Sequence, residues 1–307
     1  MYRKEIEGFI DSHRQEMIDD ICKLCRINSE KMPYTEGKPY GDGAFDALHA
    51  ALAMMEDYGF SITNYDNYVG TADLNDKERQ LDILAHLDVV PAGEGWTVTE
   101  PFEPVEKDGK LYGRGTADDK GPAVAALYAM RAIKELGIPV KKNVRLILGT
   151  DEECGSSDIE VYYKREKEAP MTFSPDASFP VINIEKGRIP GGFSASFEAS
   201  EALPKIVSID AGIKVNVVPG KAKAVDLFDY VVAGLEAEVL TQTADAVEKQ
   251  TGLSFSFGET EDGIQITVEG KGAHASTPDE GNNALTGLLS YLVSLPLADC
   301  PQLQAVK

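Results

Sequence analysis

The sequence predicts an α/β domain, a mostly parallel sheet covered by helices, followed by a smaller α+β domain with an antiparallel sheet. Three observations lead there. Short apolar runs at Gln80–Val90, Asn143–Gly149 and Met171–Asp176 read as strands, with a helical pattern at Pro122–Leu136 set between the first two, the alternation of βαβ units. After Lys186 the spacing changes to a two-residue alternation, at Gly191–Phe197, Lys214–Val218, Ala222–Phe228 and Gly263–Glu269, as antiparallel strands show. The 307 residues, 43% of them hydrophobic, are enough for two such domains. The boundary is therefore expected between residues 1–186 and 187–307.

Each element has its own warrant. Ile6, Phe9, Ile10, Met17, Ile18, Ile21 and Leu24 recur at helical spacing, predicting a helix from about Arg3 to Ile27. A second helix is expected over Asp42–Asp57, closed by Gly59; His13 and His49 fall in these helices and read as surface or packing residues. Leu81, Ile83, Ala85 and Leu87 alternate along a strand stopped by Pro91. Pro122 suits the first turn of the next helix and Gly137 lies just past its end. Asn143–Gly149 reads as a buried strand, and Asp226–Gly252 as the helix of the second domain.

Charge and composition exclude several functions. A net charge of −21 repels phosphate backbones and anionic lipid, which argues against nucleic-acid or membrane-surface partners. No run approaches the ~20 apolar residues a membrane helix needs. The start, Met1-Tyr-Arg-Lys-Glu-Ile-Glu7, has no hydrophobic signal core, so a cytoplasmic protein is expected. Cys22-Lys-Leu-Cys25 has no second pair and sits in a helical pattern; with Cys154 and Cys300 it reads as reduced thiols.

The chemistry lies at strand ends. In a strand, His86 and Asp88 face the same way and emerge together at the carboxyl edge, where open α/β sheets bind ligands. A metal-bound imidazole needs an acceptor on its other nitrogen, a role Asp88 can fill. Gly113-Arg-Gly-Thr-Ala-Asp118-Asp119-Lys120-Gly121 leads into a helix, Asp151-Glu152-Glu153 follows an apolar strand, and Asp176 ends another. Alone, each has an ordinary reading: a polar pair, a helix cap beside a solvated acid, an acidic turn. Together they would converge in one cleft as mutually repelling anions, which cations must neutralise. Two Zn²⁺ ions ~3.5–4 Å apart, sharing a carboxylate, would do so.

These motifs, with Ser174-Pro-Asp176, Val215-Asn216-Val-Val-Pro219 and Gly272-Ala-His274-Ala-Ser276-Thr-Pro278, resemble the co-catalytic di-zinc family of aminoacylases, carboxypeptidases, desuccinylases and dipeptidases. Pro175–Pro180 and Glu185-Lys-Gly187 look most like its peptidase V branch, the Xaa-His or carnosine-type dipeptidases. The resemblance implies a zinc-exopeptidase catalytic domain and a lid domain. It implies that Asp118 bridges two metals, that the Asp118–Asp119 bond is cis, that His86 and Asp176 complete the first metal site, and that Glu153 binds the second metal. Asp88 would orient His86, Glu152 would be the general base, and Asn216 and His274 would close over the substrate and stabilise the developing oxyanion. Zinc is the implied metal, with cobalt or manganese acceptable to the same ligands. The implied reaction is amide hydrolysis of a dipeptide by a monomer.

The family's second metal also takes a histidine from near the C-terminus. The histidines here are His13, His49, His86 and His274, and none has that place. The expectation is that these 307 residues belong to a longer polypeptide, with both domains incomplete, a natural short form being the other reading. If the polypeptide ends at Lys307, the first metal site is whole, the second is not, and turnover is weak or absent. N-acyl amino acid deacylation and a non-catalytic metal-binding fragment remain open as alternatives.

Overall fold

The structure, a computed structural model, describes residues 2–93, 95–184, 187, 191–192, 194–198, 202–212, 217–227, 236–261, 263–275, 277–297 and 300–305. The chain divides into two compact units, Met1–Gly187 and Arg188–Lys307.

The first unit runs α1 (Arg3–Ser12), α2 (Arg14–Cys25), α3 (Asp42–Asp57), β1 (Ser61–Tyr65), β2 (Val69–Asp73), β3 (Arg79–His86), β4 (Val105–Lys107), β5 (Lys110–Tyr112), α4 (Lys120–Glu135), β6 (Asn143–Gly149), a 3₁₀ turn (Glu152–Cys154), α5 (Ser157–Tyr163) and β7 (Met171–Phe173). Its five-stranded sheet has the order β1-β2-β6-β3-β7. β6, β3 and β7 are parallel, whereas β1 and β2 join antiparallel. Alternation along β6 covers both faces: Leu146 and Leu148 pack with Leu24, Leu48, Met55 and Leu127, while Ile147 packs with Val69 and Tyr162 on the other side. The sheet is thus sandwiched between helices, as its continuous apolar strands require.

Several details depart from the periodicity. The helix expected over Arg3–Ile27 is two helices, because His13 leaves helical geometry (φ −105°, ψ 11°) and stacks its ring on Phe9 with centroids 4.0 Å apart. Apolar spacing continues across the break, so the pattern alone does not reveal it. The β1–β2 hairpin turns at Asp66-Asn67, both with positive φ (52° and 63°), and β4–β5 turns at Asp108-Gly109 (54° and 72°). Such Asx- and Gly-rich pairs are a signal of short hairpins, here of three residues between β1 and β2 and two between β4 and β5, that the apolar spacing does not carry.

Two features fix the start of α4, the helix beneath the acidic loop. Lys120 is fully buried, and its ammonium donates to the carbonyls of Leu24 (3.1 Å) and Ile27 (2.8 Å), closing the end of α2. Burial pushes its pKa down to about 8. Gly121 lies against Thr116, where an added Cβ would come within 2.0 Å of the Thr116 carbonyl oxygen. Gly121→Ala is accordingly expected to destabilise the fold by about 1–3 kcal/mol and to displace the loop ahead of α4. Urea unfolding checks this, and an unchanged midpoint would refute it.

The second unit is a four-stranded antiparallel sheet of order β11-β12-β10-β8, from β8 (Lys205–Ala211), β10 (Lys221–Leu227), β11 (Ser254–Thr260) and β12 (Gly263–Glu269), with α6 (Glu236–Thr251) and α7 (Ala284–Ser294). A small ladder joins β9 (Val217–Val218) to β13 (Ala273–His274), and α8 (Pro301–Ala305) follows. Leu240, Ala244, Leu253, Ile266, Val268, Leu288 and Tyr291 form its core. The helix expected over Asp226–Gly252 is described from Glu236, with Asp226 in β10. The strand expected at Gly191–Phe197 does not form among the described residues there, which are exposed and lie in no ladder. Alternation assigns faces to a segment but supplies no pairing partner.

Candidate active site

The parallel register brings the chemistry together. Ile83 lies opposite Phe173 and His86 opposite Gly149, so the chain leaves β3, β6 and β7 at one edge of the sheet. His86 ends β3, Asp151-Glu152-Glu153 follows β6 directly, and Asp176 follows β7 by the same short interval that separates His86 from Ile83. Asp118 arrives from the loop before α4; its peptide bond to Asp119 is cis.

His86 is the centre. Its ring is buried, and Nε2 points at carboxylate oxygens of Asp118 (3.1 Å), Asp176 (3.4 Å) and Glu152 (3.9 Å). On the other side Nδ1 faces the Asp88 carbonyl at 3.0 Å and its carboxylate at 3.3 Å, both acceptors, so Nδ1 carries a proton and Nε2 is the atom turned to the cluster. Ligand atoms of His86, Asp118 and Asp176 all lie within 4.8 Å of one another, a donor set of one imidazole and two carboxylates that suits a divalent cation. Asp88, itself buried, accepts the backbone N–H groups of Glu152 and Glu153, each at 3.1 Å, and so ties the acidic turn to the histidine.

Electrostatics agrees with that donor set. Burial alone would favour neutral His86, but Asp118, Asp176 and Asp88 outweigh it and raise its pKa far above the ordinary value. Burial and then Asp118 push Glu153 up to about 7; burial foremost also raises Glu152. Without a metal, the site therefore holds protons where a cation would neutralise the same charges.

A ring of residues to which the sequence reading gave no role supports this cluster. Asp119, whose ordinary reading is a solvated acid after the helix cap, is fully buried and accepts the His86 backbone N–H (3.2 Å), with burial pushing its pKa to about 7. It stands at the α4 N-terminus without making a side-chain cap hydrogen bond. Asp158 is also buried and accepts the N–H groups of Thr150 (2.5 Å) and Asp151 (3.1 Å). It sits so close to β6 that a Cβ on Gly149 would fall 2.6 Å from its Oδ2. No local pattern marks these residues, because their partners lie across the sheet edge or behind the turn.

The structure thus gathers Asp88, Asp118, Glu152 and Asp176 around His86, with Glu153 on the same turn as Glu152. Asn216 lies outside the described residues, and His274 is described by its backbone alone, where it pairs with Val217. No described helix is long and apolar enough to cross a membrane.

A cluster of one imidazole and several carboxylates at the carboxyl edge of a parallel sheet is a site suited to a divalent metal. The family model "Peptidase family M20/M25/M40" matches residues 83–290, which span all these motifs, and the chain belongs to this metal-dependent family. It is 34% identical to "Putative dipeptidase YtjP" of Bacillus subtilis (strain 168) over 290 residues, 93% of this chain and 61% of that one. It is likewise 34% identical to "Beta-Ala-Xaa dipeptidase" of Lactobacillus delbrueckii subsp. lactis over 285 residues, 92% of this chain and 59% of that one. The crystal structure of human carnosine dipeptidase 1 superposes with a TM-score of 0.47 at 26% identity, covering 54% of this chain and 38% of that one. The chain spans about three fifths of the length of the curated relatives it matches.

Proposed function

We propose that the protein hydrolyses the amide bond of a dipeptide, of the β-alanyl-Xaa or Xaa-His kind, with two zinc ions at the carboxyl edge of the first sheet. The observation that carries this is the convergence of His86, Asp118 and Asp176 within 4.8 Å. The substrate class rests on the relative named a Beta-Ala-Xaa dipeptidase. His86, Asp118 and Asp176 would hold the first ion, and Asp118 with Glu153 would serve the second. Bound zinc supplies Lewis acidity and lowers the pKa of water to about 7. Glu152 accepts the proton of the attacking water and returns it to the leaving amine; its raised pKa brings it nearer to working pH. Asp88 holds His86 in one tautomer and fixes the turn under Glu152. Asn216 and His274 would stabilise the developing oxyanion.

The test is amine release from β-alanyl-histidine by the zinc-loaded chain, with N-acetyl amino acids alongside and metal content measured on the same sample. Slow dipeptide hydrolysis, lost with EDTA, is the expected result, because only the carboxylates of Asp118 and Glu153 are assigned to the second ion. Hydrolysis of N-acetyl amino acids alone would assign deacylation instead, and a chain that binds no metal would overturn the reading.

The same charges set a pH dependence. Glu153 and Asp119, both near 7, and His86, raised further, hold more protons folded than unfolded. The stabilisation from Glu153 and Asp119 is complete below the unfolded carboxylate pKa of about 4 and is lost as pH rises through about 7. That from His86 is complete up to its ordinary value of about 6.5 and fades only above it. In EDTA the melting temperature should therefore fall between pH 5 and pH 8, and added Zn²⁺ should restore more of it at pH 8. A melting temperature that rises over this range in EDTA would contradict the assignment.

A further inference from the structure

The turn that carries Glu152 and Glu153 is held from two sides. Asp88 holds it from within. From outside it is held by Asp151, a carboxylate that belongs to no proposed metal site. Asp151 is fully buried, yet Lys31, more than a hundred residues earlier, places its ammonium 2.6 Å from Oδ1. Oδ2 accepts the Ser157 hydroxyl at 2.5 Å and the Ser157 N–H at 3.2 Å. The Asp151 carbonyl accepts the N–H groups of Cys154 (3.3 Å) and Ser156 (2.8 Å), closing the turn. Because the Ser157 hydroxyl proton goes to Asp151, the Tyr40 hydroxyl donates to Ser157 Oγ, 2.8 Å away. The same Tyr40 ring lies 5.0 Å from the Lys31 ammonium. Met32 N–H donates to the Tyr40 carbonyl (2.9 Å) and Thr35 pairs with Lys38, so Lys31 and Tyr40 are the two feet of one hairpin standing on the catalytic turn.

We propose that Lys31 and Tyr40 are positioning residues, which act through Asp151 and Ser157 to hold Glu152 and Glu153 toward the metals; this rests on the metallopeptidase reading above. The charge argument is direct. The site already crowds Asp88, Asp118, Glu152, Glu153 and Asp176 together, and another uncompensated buried carboxylate one residue away would repel them or turn toward the cations itself. The Lys31 ammonium neutralises Asp151 locally and aims it away from the cluster. An exposed ion pair would contribute little, but here one partner is wholly buried, so removing the cation leaves a charge with no water to take it.

Zn²⁺ titration against a competing chelating dye tests this, with thermal melting in EDTA and the kcat/KM split measured alongside. Lys31→Met is expected to weaken Zn²⁺ binding about 10-fold, the low end of the loss when a group bonded to a metal ligand is removed, because Lys31 acts one residue further out through Asp151. kcat should fall and KM hold. Lys31→Arg should retain affinity within about threefold. Lys38→Met, which breaks the exposed Lys38–Asp42 pair on the same hairpin (2.5 Å), should match the unaltered chain. Should Lys31→Met fail to fold, Tyr40→Phe decides, because it deletes only the hydroxyl donated to Ser157 and should still weaken Zn²⁺ binding several-fold. A lowered melting temperature with unchanged Zn²⁺ affinity and kcat in these variants would make the hairpin merely structural and overturn the proposal. An unaltered chain that binds no Zn²⁺ would instead remove the metallopeptidase reading itself, and the positioning role with it.

Discussion

Glu152→Gln is expected to lower the turnover of the zinc-loaded chain by about 10²- to 10⁴-fold while leaving its metal content unchanged. Glutamine preserves the shape of the side chain and the backbone N–H that Asp88 accepts, but it has no carboxylate to receive the proton of water. Glu152 is suited to that task by its surroundings. It reaches to 3.9 Å from His86 Nε2 without belonging to the group of His86, Asp118 and Asp176, and its side chain is half exposed, open to an entering water. Burial and then the neighbouring acids Asp176, Asp88 and Asp118 raise its pKa, against the opposing pull of His86. Steady-state kinetics with elemental analysis of the same sample gives the answer. Turnover within threefold of the unaltered chain would remove Glu152 from the base role, and loss of metal would move it into the ligand set.

The second large effect is expected at Asp88. Its carbonyl and carboxylate both face His86 Nδ1, and its two carboxylate oxygens accept the Glu152 and Glu153 N–H groups. Asp88→Ala keeps the carbonyl that accepts from His86 Nδ1 but removes the carboxylate beside that nitrogen and both acceptors of the acidic turn. Zinc affinity should fall about 10- to 100-fold, as for other outer partners of metal-bound histidines. Stability in EDTA should fall by about 1–3 kcal/mol for each N–H left without an acceptor. Asp88→Asn keeps one acceptor oxygen and should lie between. Competitive zinc titration and urea unfolding separate the two effects, and unchanged zinc affinity in Asp88→Ala would show that the Asp88 carboxylate does not orient the ligand.

Local sequence alone determined much of this protein. The helix over Asp42–Asp57, the strands at β3, β6 and β12, and the change of pattern after Lys186 follow from apolar spacing, which depends only on near neighbours. The motif residues were legible for a related reason. His86, Asp118, Glu152, Glu153 and Asp176 sit at strand ends or helix starts, where side chains must leave the sheet at its carboxyl edge. The break at His13, the antiparallel joining of β1 and β2, and the absence of a strand among the described residues of Gly191–Phe197 were decided elsewhere, by ring stacking, turn conformation and the need for a pairing partner. The same holds for the supports of the site. Whether Asp119 is solvated or buried, whether Asp151 meets Lys31, and whether Asp158 lies over Gly149 depend on groups far apart in the chain. Only the tertiary structure places a buried charge beside its partner, because burial and Coulomb attraction act over distance in space, whereas sequence patterns record the geometry of adjacent turns.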